Sequence, residues 1–372
     1  MPVKKGQTVQ VEISDLAFGG KGVAKIDGFT IFVDQAAPGD VAEVQIVRKK
    51  KRYAESRIRT LLEASPARVT PPCPYSGFCG GCKWQFLSYE TQLEYKKRHV
   101  VESLIHLGGI EAPPVAAVLA APKPFAYRNK MEFSCSDRCW VPPEELASAP
   151  LDSSFSLGLH VPGTFSKVLD IKGCLLQPQA GNGILNMARE LMKASGRAAY
   201  GLKSHEGFWR FLMLRHSVAY DEWMVNLITS REDAEVMKPL SRALMEAFPS
   251  VVSVVNNVTS RHAAIAMGEF EVQVAGTSMI TERLFGYEFG ISANSFFQTH
   301  TQGAEVLYRT VREFAGLSGR EQVLDLYSGT GTIPICLSAS AREVTGIEIV
   351  ASAVADAREN CKINRVDNCR FL

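Results

Sequence analysis

Three cysteines, Cys73, Cys79 and Cys82, lie within the ten-residue stretch CPYSGFCGGC. Glycine and proline between them favour a loop on which several thiolates can converge on one polynuclear metal cluster. The spacing lacks the paired C-x2-C knuckles of a zinc ribbon, and no histidine lies at zinc-finger spacing. Such a cluster needs four protein ligands, so the fourth thiolate must come from elsewhere in the chain. The candidates for that ligand are Cys135, Cys139 and Cys174. Zinc bound by the same thiolates is the alternative, because tetrahedral sulfur sites suit both metals.

A second stretch whose residues could do chemistry is EQVLDLYSGTGTIPICLS, residues 321–338. It predicts a strand, a glycine-rich turn and a helix, and a second strand, EVTGIEIV, ends close to Glu348. The glycines let the backbone approach a nucleotide-like ligand, and the acid can accept hydrogen bonds from ribose hydroxyls. A dinucleotide fingerprint would prefer a third glycine where this chain has Pro334, so a dehydrogenase is disfavoured.

Composition limits the class of protein that can carry these sites. The chain has 372 residues, 46% of them hydrophobic, which is enough for two or three packed domains. It begins MPVKKGQTVQ, without the apolar segment of a signal peptide, and no apolar run approaches the length of a membrane span. Nine cysteines spread through a long chain favour a reducing compartment. We therefore expect a cytoplasmic protein without membrane contact.

Basic residues are concentrated near the N-terminus. Residues 1–62 contain eleven Lys and Arg against seven Asp and Glu, and five basic residues run unbroken from Arg48 to Arg52. Such a run can be an edge strand kept soluble by its charge. It can equally be a patch that follows a phosphate backbone.

The elements that must position these residues predict a multidomain α/β fold with three domains. Residues 1–62 contain short strands separated by glycine-rich turns, which predict a small OB-like barrel that binds RNA. Residues 63–290 predict a central α+β domain with the cysteine loop and a helix from Ser88 to Leu107, whose apolar face includes Leu93 and Val100. Residues 291–372 predict a helix with an apolar face from Ala304 to Phe314, followed by an incomplete Rossmann-like domain whose first strand is buried.

Several motifs resemble known families. GGKGVA (19–24) and the surrounding strands resemble a TRAM domain, an RNA-binding barrel. CPYSGFCGGCKWQ (73–85), YRNKMEFS (127–134) and VLDIKGCLLQ (168–177) together resemble the bacterial RNA uracil-5-methyltransferases that carry a 4Fe-4S cluster. This resemblance implies a cluster bound by Cys73, Cys79, Cys82 and Cys174. It also implies that Arg128 and Lys130 contact RNA.

DLYSGTGT, residues 325–332, is similar to motif I of class I methyltransferases, which bind S-adenosylmethionine. In the RNA uracil-5-methyltransferase family, the binding positions map to Gln298, Tyr327, Thr332 and Glu348. The family often has Asn where this chain has Thr332. The resemblance therefore implies methylation of C5 of a uridine, and the barrel with its cluster favours 23S ribosomal RNA over transfer RNA.

The chemistry of that reaction needs a nucleophilic cysteine and a general base. In the resembling family both lie late in the Rossmann domain. Cys336, Cys361 and Cys369 are expected to be packing residues in helices and a strand. We therefore expect a C-terminally truncated, monomeric member whose nucleophile and base lie after Leu372, and which is inactive as it stands. The alternative is a non-catalytic RNA-binding iron-sulfur protein.

Overall fold

The computed structural model describes residues 3–142 and 154–372, and the chain divides into two compact units, residues 1–120 and 121–372. The first unit begins with six strands that form one sheet in the order β1-β5-β6-β4-β3-β2. These strands are β1 Thr8–Glu12, β2 Asp15–Leu16, β3 Gly22–Ile26, β4 Phe29–Asp34, β5 Val41–Lys49 and β6 Tyr53–Glu63. They confirm the strands that the sequence predicts for residues 1–62.

The sheet of the first unit closes on itself through one bent segment. β1 pairs with β5, whereas β2 pairs with β3, and only Ile13 and Ser14 separate β1 from β2. The amide of Ser14 donates to the carbonyl of Val23 at 2.8 Å, so the pairing passes directly from one neighbour to the other. Alternate residues of β1, β3, β4 and β5 point inward, and the core contains Ile13, Ile31 and Val44, each at most 1% exposed. The segment therefore forms a barrel.

A helix, α1 Tyr89–His106, follows the cysteine loop in the same unit. Ser88 caps it, because its hydroxyl accepts from the amide of Thr91 at 3.2 Å. The helix boundaries agree with the sequence prediction, but the predicted apolar face is wrong. Val100 is 49% exposed, whereas Tyr95 is the buried residue and packs against Phe86 and Leu87.

The second unit contains a mixed sheet of eight strands, in the order β14-β13-β12-β11-β7-β9-β10-β8 over the described residues. Helices α2 and α3 follow β10 and β12 respectively, and α3 makes the crossover between the parallel strands β12 and β13. The three central strands β11, β12 and β13 are almost wholly buried. The bounds are β7 Lys130–Ser136, β8 Cys139–Trp140, β9 Ser156–His160, β10 Val168–Asp170, α2 Gln179–Ala194, β11 Trp209–His216, β12 Trp223–Thr229, α3 Ala234–Ala247, β13 Val251–Val258 and β14 Phe270–Gly276.

The C-terminal part of this unit is a hairpin, a helix and a three-stranded parallel sheet in the order β17-β18-β19. Its core includes Phe289, Ile335 and Phe371. The bounds are β15 Met279–Leu284, β16 Tyr287–Ser292, α4 Thr301–Ala315, β17 Gln322–Leu326, α5 Thr332–Ser338, β18 Glu343–Ile347, α6 Ala351–Ile363 and β19 Cys369–Phe371. This alternation of parallel strands and helices is the Rossmann-like pattern that the sequence predicts.

Two burial predictions for this part are wrong. The first parallel strand, β17, is not buried: Leu324 is 59% exposed and Leu326 57%, while Val323 and Asp325 on the other face are half-buried. One face of the strand is therefore covered and the other is open. On α4 the predicted apolar face is narrower, because Tyr308 is buried but Phe314 is 86% exposed. No helix within the described residues is long and apolar enough to cross a membrane.

Candidate functional site

The segment before α4 carries Gln298 and is fixed by side chains from distant strands. The amide nitrogen Nδ2 of Asn129 donates to the carbonyl of Gln298 and to Oγ1 of Thr301, both at 2.9 Å. The guanidinium of Arg215, 3% exposed, donates to the carbonyl of Ala293 at 3.2 Å and to that of Ser295. Burial lowers the pKa of Arg215 to about 10, and its carbonyl partners stabilise the charge. The position of Gln298 is thus set by the sheet beneath it.

His300 begins α4 and links this segment to the YRNK motif. Its Nδ1 accepts from the amide of Gly303 at 3.2 Å, which caps the helix. Its ring stacks on Tyr127, with centroids 4.5 Å apart. Burial lowers the pKa of His300, and its Nε2 atom is buried with no hydrogen-bond partner in the described structure.

Tyr308 joins two of the predicted cofactor residues. Its hydroxyl is 3.1 Å from Oγ1 of Thr332, and the side chain of Gln298 is close enough to lower its pKa. The side chain is only 3% exposed, and burial raises its pKa. The segment before α4 and the start of α5 therefore meet at one hydroxyl group.

The turn between β17 and α5 is tight and open to ligand. Tyr327 has a φ of 66° and is 88% exposed, so it is not the packing aromatic that its type could suggest. Gly329 and Gly331 also have positive φ, at 55° and 79°. A Cβ on Gly331 would lie 2.7 Å from the ring of Phe371, whereas one on Gly329 would meet no atom within 4 Å. Gly331 therefore has no room for a side chain, whereas the position of Gly329 is surrounded by free space.

Glu348 follows β18 and reaches back to this turn. Its Oε2 accepts from the amide of Gly329 at 3.0 Å, and its Oε1 accepts from the amide of Val350 at 2.9 Å. Since β17 and β18 are parallel, their carboxyl ends lie at the same edge of the sheet. The structure therefore brings Glu348 to the glycine turn that begins with Tyr327.

Asp325 and Ser328 leave polar atoms without partners at the same edge. Oδ2 of Asp325 and Oγ of Ser328 are both buried and have no hydrogen-bond partner in the described structure. Burial raises the pKa of Asp325. Buried polar atoms without partners are rare in native proteins, so these two fit a polar ligand that would hydrogen-bond them.

The cysteine loop lies in the first unit and Cys174 in the second. Burial raises the pKa of Cys73, and the nearby Cys82 thiol raises it further, so these two side chains are neighbours. The amide of Gly81 donates to Sγ of Cys79 at 3.3 Å. Within the described residues of both units, no group of three or more His, Cys, Asp or Glu side chains is placed to hold a metal ion.

The remaining cysteines are set among apolar side chains. Cys135 is 3% exposed, and burial raises its pKa strongly. Burial raises the pKa of Cys336 to about 12. Sγ of Cys369 donates to the carbonyl of Pro334 at 3.5 Å, and Cys361 is 7% exposed in the adjoining core. These thiols are therefore packed in or against the core.

The basic run Arg48 to Arg52 forms the end of β5 and the turn to β6. Arg48 lies 3.9 Å from Glu55, and Nζ of Lys49 donates to the carbonyl of Val3 at 2.7 Å. Lys50, Lys51 and Arg52 are exposed at the tip of the hairpin. Three of the five cationic side chains are therefore directed to solvent, and the other two contact residues of the barrel.

Family models match two parts of the chain. Residues 2–58 match the TRAM domain, and residues 212–372 match tRNA (uracil-5-)-methyltransferases. A relative from Chlorobaculum tepidum, named an uncharacterized RNA methyltransferase, is 44% identical over 374 residues, which span 99% of this chain and 77% of the relative. A relative of the same name from Bacteroides thetaiotaomicron is 38% identical over 96% of this chain and 79% of its own length. The chain belongs to the RNA (uracil-5-)-methyltransferase family.

A solved structure of the same family supports this at the level of the fold. The tRNA (uracil-54, C5)-methyltransferase of Pyrococcus abyssi, in complex with S-adenosyl-L-homocysteine, is 27% identical to this chain. The TM-score is 0.71, and the likeness covers 98% of this chain and 78% of that one. The predicted TRAM barrel and the predicted methyltransferase domain are confirmed by these comparisons. The division into domains at residues 62 and 290 stays a prediction.

Tyr308 is a candidate site residue that sequence patterns do not reveal in this member of the family. Its place on α4 predicts only an apolar contact, and nothing in the sequence joins it to Thr332 across 24 residues. The sequence marks Asp325 only as the first residue of the glycine motif. An acid at the carboxyl end of the first parallel strand, directly before the glycine turn, is the signal that could have singled it out.

Proposed function

We propose that this protein transfers a methyl group from S-adenosylmethionine to C5 of a uridine in RNA. The observation that carries the proposal is the polar cluster at the carboxyl ends of β17 and β18, where Tyr308 joins Gln298 to Thr332 and Glu348 holds the glycine turn. Ligands of open α/β sheets bind at this edge. The complex of the Pyrococcus abyssi relative with S-adenosyl-L-homocysteine supports the choice of cofactor.

The residues at this edge suit the parts of that cofactor. Glu348 would accept hydrogen bonds from the ribose hydroxyls, and the free Oδ2 of Asp325 would accept from an ammonium group. Tyr327 would offer its exposed ring to the adenine. Gln298 and Thr332 would complete the polar contacts from the two segments that Tyr308 joins. S-adenosylmethionine supplies an electrophilic methyl group on a sulfonium.

The reaction needs a thiolate because C5 of uracil is a poor nucleophile. When a thiolate adds to C6, electron density moves to C5, which attacks the methyl carbon while the carbon–sulfur bond of the sulfonium breaks. A general base then removes the C5 proton, the C5–C6 double bond re-forms and the thiolate leaves. We propose that neither role belongs to Cys336, Cys361 or Cys369, because these thiols are packed in or against the core.

We propose 23S ribosomal RNA as the substrate, and transfer RNA as the second candidate. The TRAM match and the basic tip of the β5–β6 hairpin support RNA in general. The printed activity of the Pyrococcus abyssi relative, on uracil 54 of transfer RNA, favours the second candidate. Transfer of labelled methyl to unmodified 23S and transfer RNA transcripts separates the two.

We also propose that Cys73, Cys79, Cys82 and Cys174 bind a 4Fe-4S cluster. The proximity of Cys73 to Cys82 and the amide directed at the sulfur of Cys79 support the loop as a thiolate donor set. A bound cluster would hold the four thiolates in their charged form. Zinc in the same thiolates remains the alternative that metal analysis of the purified protein distinguishes.

Binding of S-adenosylmethionine to the 372-residue chain tests the cofactor proposal. Glu348→Ala removes a charged acceptor of ribose hydroxyls, which is worth about 1.5–3 kcal/mol, or roughly 10- to 150-fold in Kd by calorimetry. Glu359→Ala is the matched control, because that carboxylate lies on α6 and pairs with Lys362 at 2.9 Å. Equal affinity of the Glu348 variant and the parent would contradict the proposal.

A further inference from the structure

A cleft in the first unit lies between the β2–β3 turn and helix α1. Its volume is ≈ 270 Å³, and its walls include Asp15 and Phe18 from the barrel side and Arg98 and Leu107 from the helix. None of these residues belongs to the cofactor site or to the cysteine loop. The inference drawn from this cleft rests on the proposal that the protein acts on RNA.

Phe18 forms one wall of the cleft and presents its ring to solvent. It is 85% exposed, although a phenylalanine side chain is normally withdrawn from water. The ring of His99 meets it edge-on, with centroids 5.8 Å apart and planes at 63°. Phe18 therefore has a fixed neighbour at one edge and a free ring face.

His99 is itself held in place by three further contacts. A ring nitrogen of His99 is 2.9 Å from the carbonyl of Leu16. Its ring also lies 5.8 Å from that of Trp84 and 6.2 Å from that of Tyr95, measured between centroids. Tyr95 is buried. His99, which contacts Phe18, is thus held by residues of the core of the unit. The exposed ring of Phe18 therefore loses little conformational freedom when a ligand binds.

The other walls of the cleft are polar. Arg98 donates to Asp15 at 2.7 Å and lies 4.0 Å from Glu102. The hydroxyl of Ser103 donates to the carbonyl of His99 at 2.7 Å and keeps its lone pairs for another donor. An aromatic face beside donors and acceptors suits a flat heterocycle whose edge carries both kinds of group.

The charge of the surroundings suits a polyanion. Residues 1–120 contain sixteen Lys and Arg and twelve Asp and Glu, which gives this unit a net charge of +4. Lys83 is exposed, and its Cβ lies 3.5 Å from the point where Gly20 would carry one, so it lies against the turn that presents Phe18. A phosphate on either side of a base in the cleft would meet this cation.

We propose that the cleft receives one unpaired nucleobase of the RNA, stacked on the free face of Phe18. Unpaired bases bind proteins by stacking on aromatic rings and by hydrogen bonds from their edges, and both partners are present here. The cleft lies in the first unit, whereas the cofactor residues lie in the second.

Phe18→Ala tests the proposal in the full 372-residue chain. The loss of one stacked base is expected to raise the Kd for a fluorescein-labelled single-stranded RNA of mixed sequence roughly 5- to 150-fold, measured by fluorescence anisotropy. The slope of log Kd against log salt should not change, because no charge is removed. Phe18→Trp should retain the affinity, and its indole fluorescence should be quenched by the RNA.

Phe165→Ala is the matched control, since that phenylalanine is 67% exposed in the second unit and should leave the Kd unchanged. If the parent chain itself does not bind RNA, the proposed function and the cleft proposal both fail. If the parent binds and Phe18→Ala binds equally well, the cleft proposal is overturned while the proposed function stands. A Phe18→Trp chain that binds RNA without quenching would overturn it too. Thermal unfolding of each variant shows that the barrel is intact.

Discussion

Replacing Tyr308 by Phe removes one hydroxyl group and keeps a buried ring. The hydroxyl lies 3.1 Å from Oγ1 of Thr332 and close to the side chain of Gln298, so two proposed cofactor residues lose a common neighbour. A net hydrogen bond is worth about 0.5–1.5 kcal/mol, and a buried polar atom left without a partner costs about 1–3 kcal/mol. We expect the unfolding free energy to fall by about 1–2 kcal/mol. The Kd for S-adenosylmethionine should rise about fivefold, which corresponds to about 1 kcal/mol.

Calorimetric titration of S-adenosylmethionine into the 372-residue chain measures this effect, with denaturant unfolding as the measure of stability. Tyr220→Phe is the matched control, because its hydroxyl bonds Arg283 at 2.6 Å on an exposed part of the same unit. A double-mutant cycle with Gln298→Ala separates positioning from general destabilisation, since residues that act together give non-additive losses. An unchanged Kd in Tyr308→Phe, an equal loss in Tyr220→Phe, or fully additive losses would refute the reasoning.

Three further predictions follow from other parts of the molecule. Replacing Lys50, Lys51 and Arg52 by Ser should weaken RNA binding. It should also reduce the slope of log Kd against log salt concentration by about 0.7 for each phosphate contact that is lost, whereas replacing Lys4 and Lys5 should do neither. An unchanged slope would mean that the hairpin tip serves solubility only. Anaerobically purified protein should be brown with about four irons per chain, and Cys174→Ala should lose most of this iron while Cys135→Ala keeps it. One zinc and no iron would contradict the cluster. Burial lowers the pKa of His300 below its ordinary 6.5, so the unfolded chain takes up a proton at higher pH than the native chain. Stability should therefore fall as the pH drops below about 6.5, and His300→Asn, which can still cap α4, should remove that part of the loss in denaturant titrations. Equal pH dependence of the two chains would contradict it.

The strands and helices were largely predictable because each has a strong local pattern. Alternating β-branched residues predict β1, β4 and β5, and the serine and glycines around α1 predict its ends. Which face of an element is buried depends on what lies opposite, and this is not local. Val100 and Phe314 look like core residues by periodicity, yet both are exposed.

The same distinction applies to the candidate site. Glu348 could be proposed from sequence, because an acid at the end of the second parallel strand has a position set by the topology. Tyr308 could not, since its role depends on a hydroxyl that meets Thr332 only after α4 packs beside α5. Asn129 is a similar case: its amide binds a carbonyl 169 residues away along the chain.

The two bonds made by Glu348 have a consequence for the way a ligand would arrive. With one oxygen on the amide of Gly329 and the other on that of Val350, the carboxylate adds to the backbone bonds that hold the glycine turn in shape. A carboxylate has about four lone pairs, so two remain for ribose hydroxyls. The conformational entropy of the turn would then be lost during folding, before a nucleoside binds. Its association rate should depend on diffusion and orientation rather than on a slow closure of the turn.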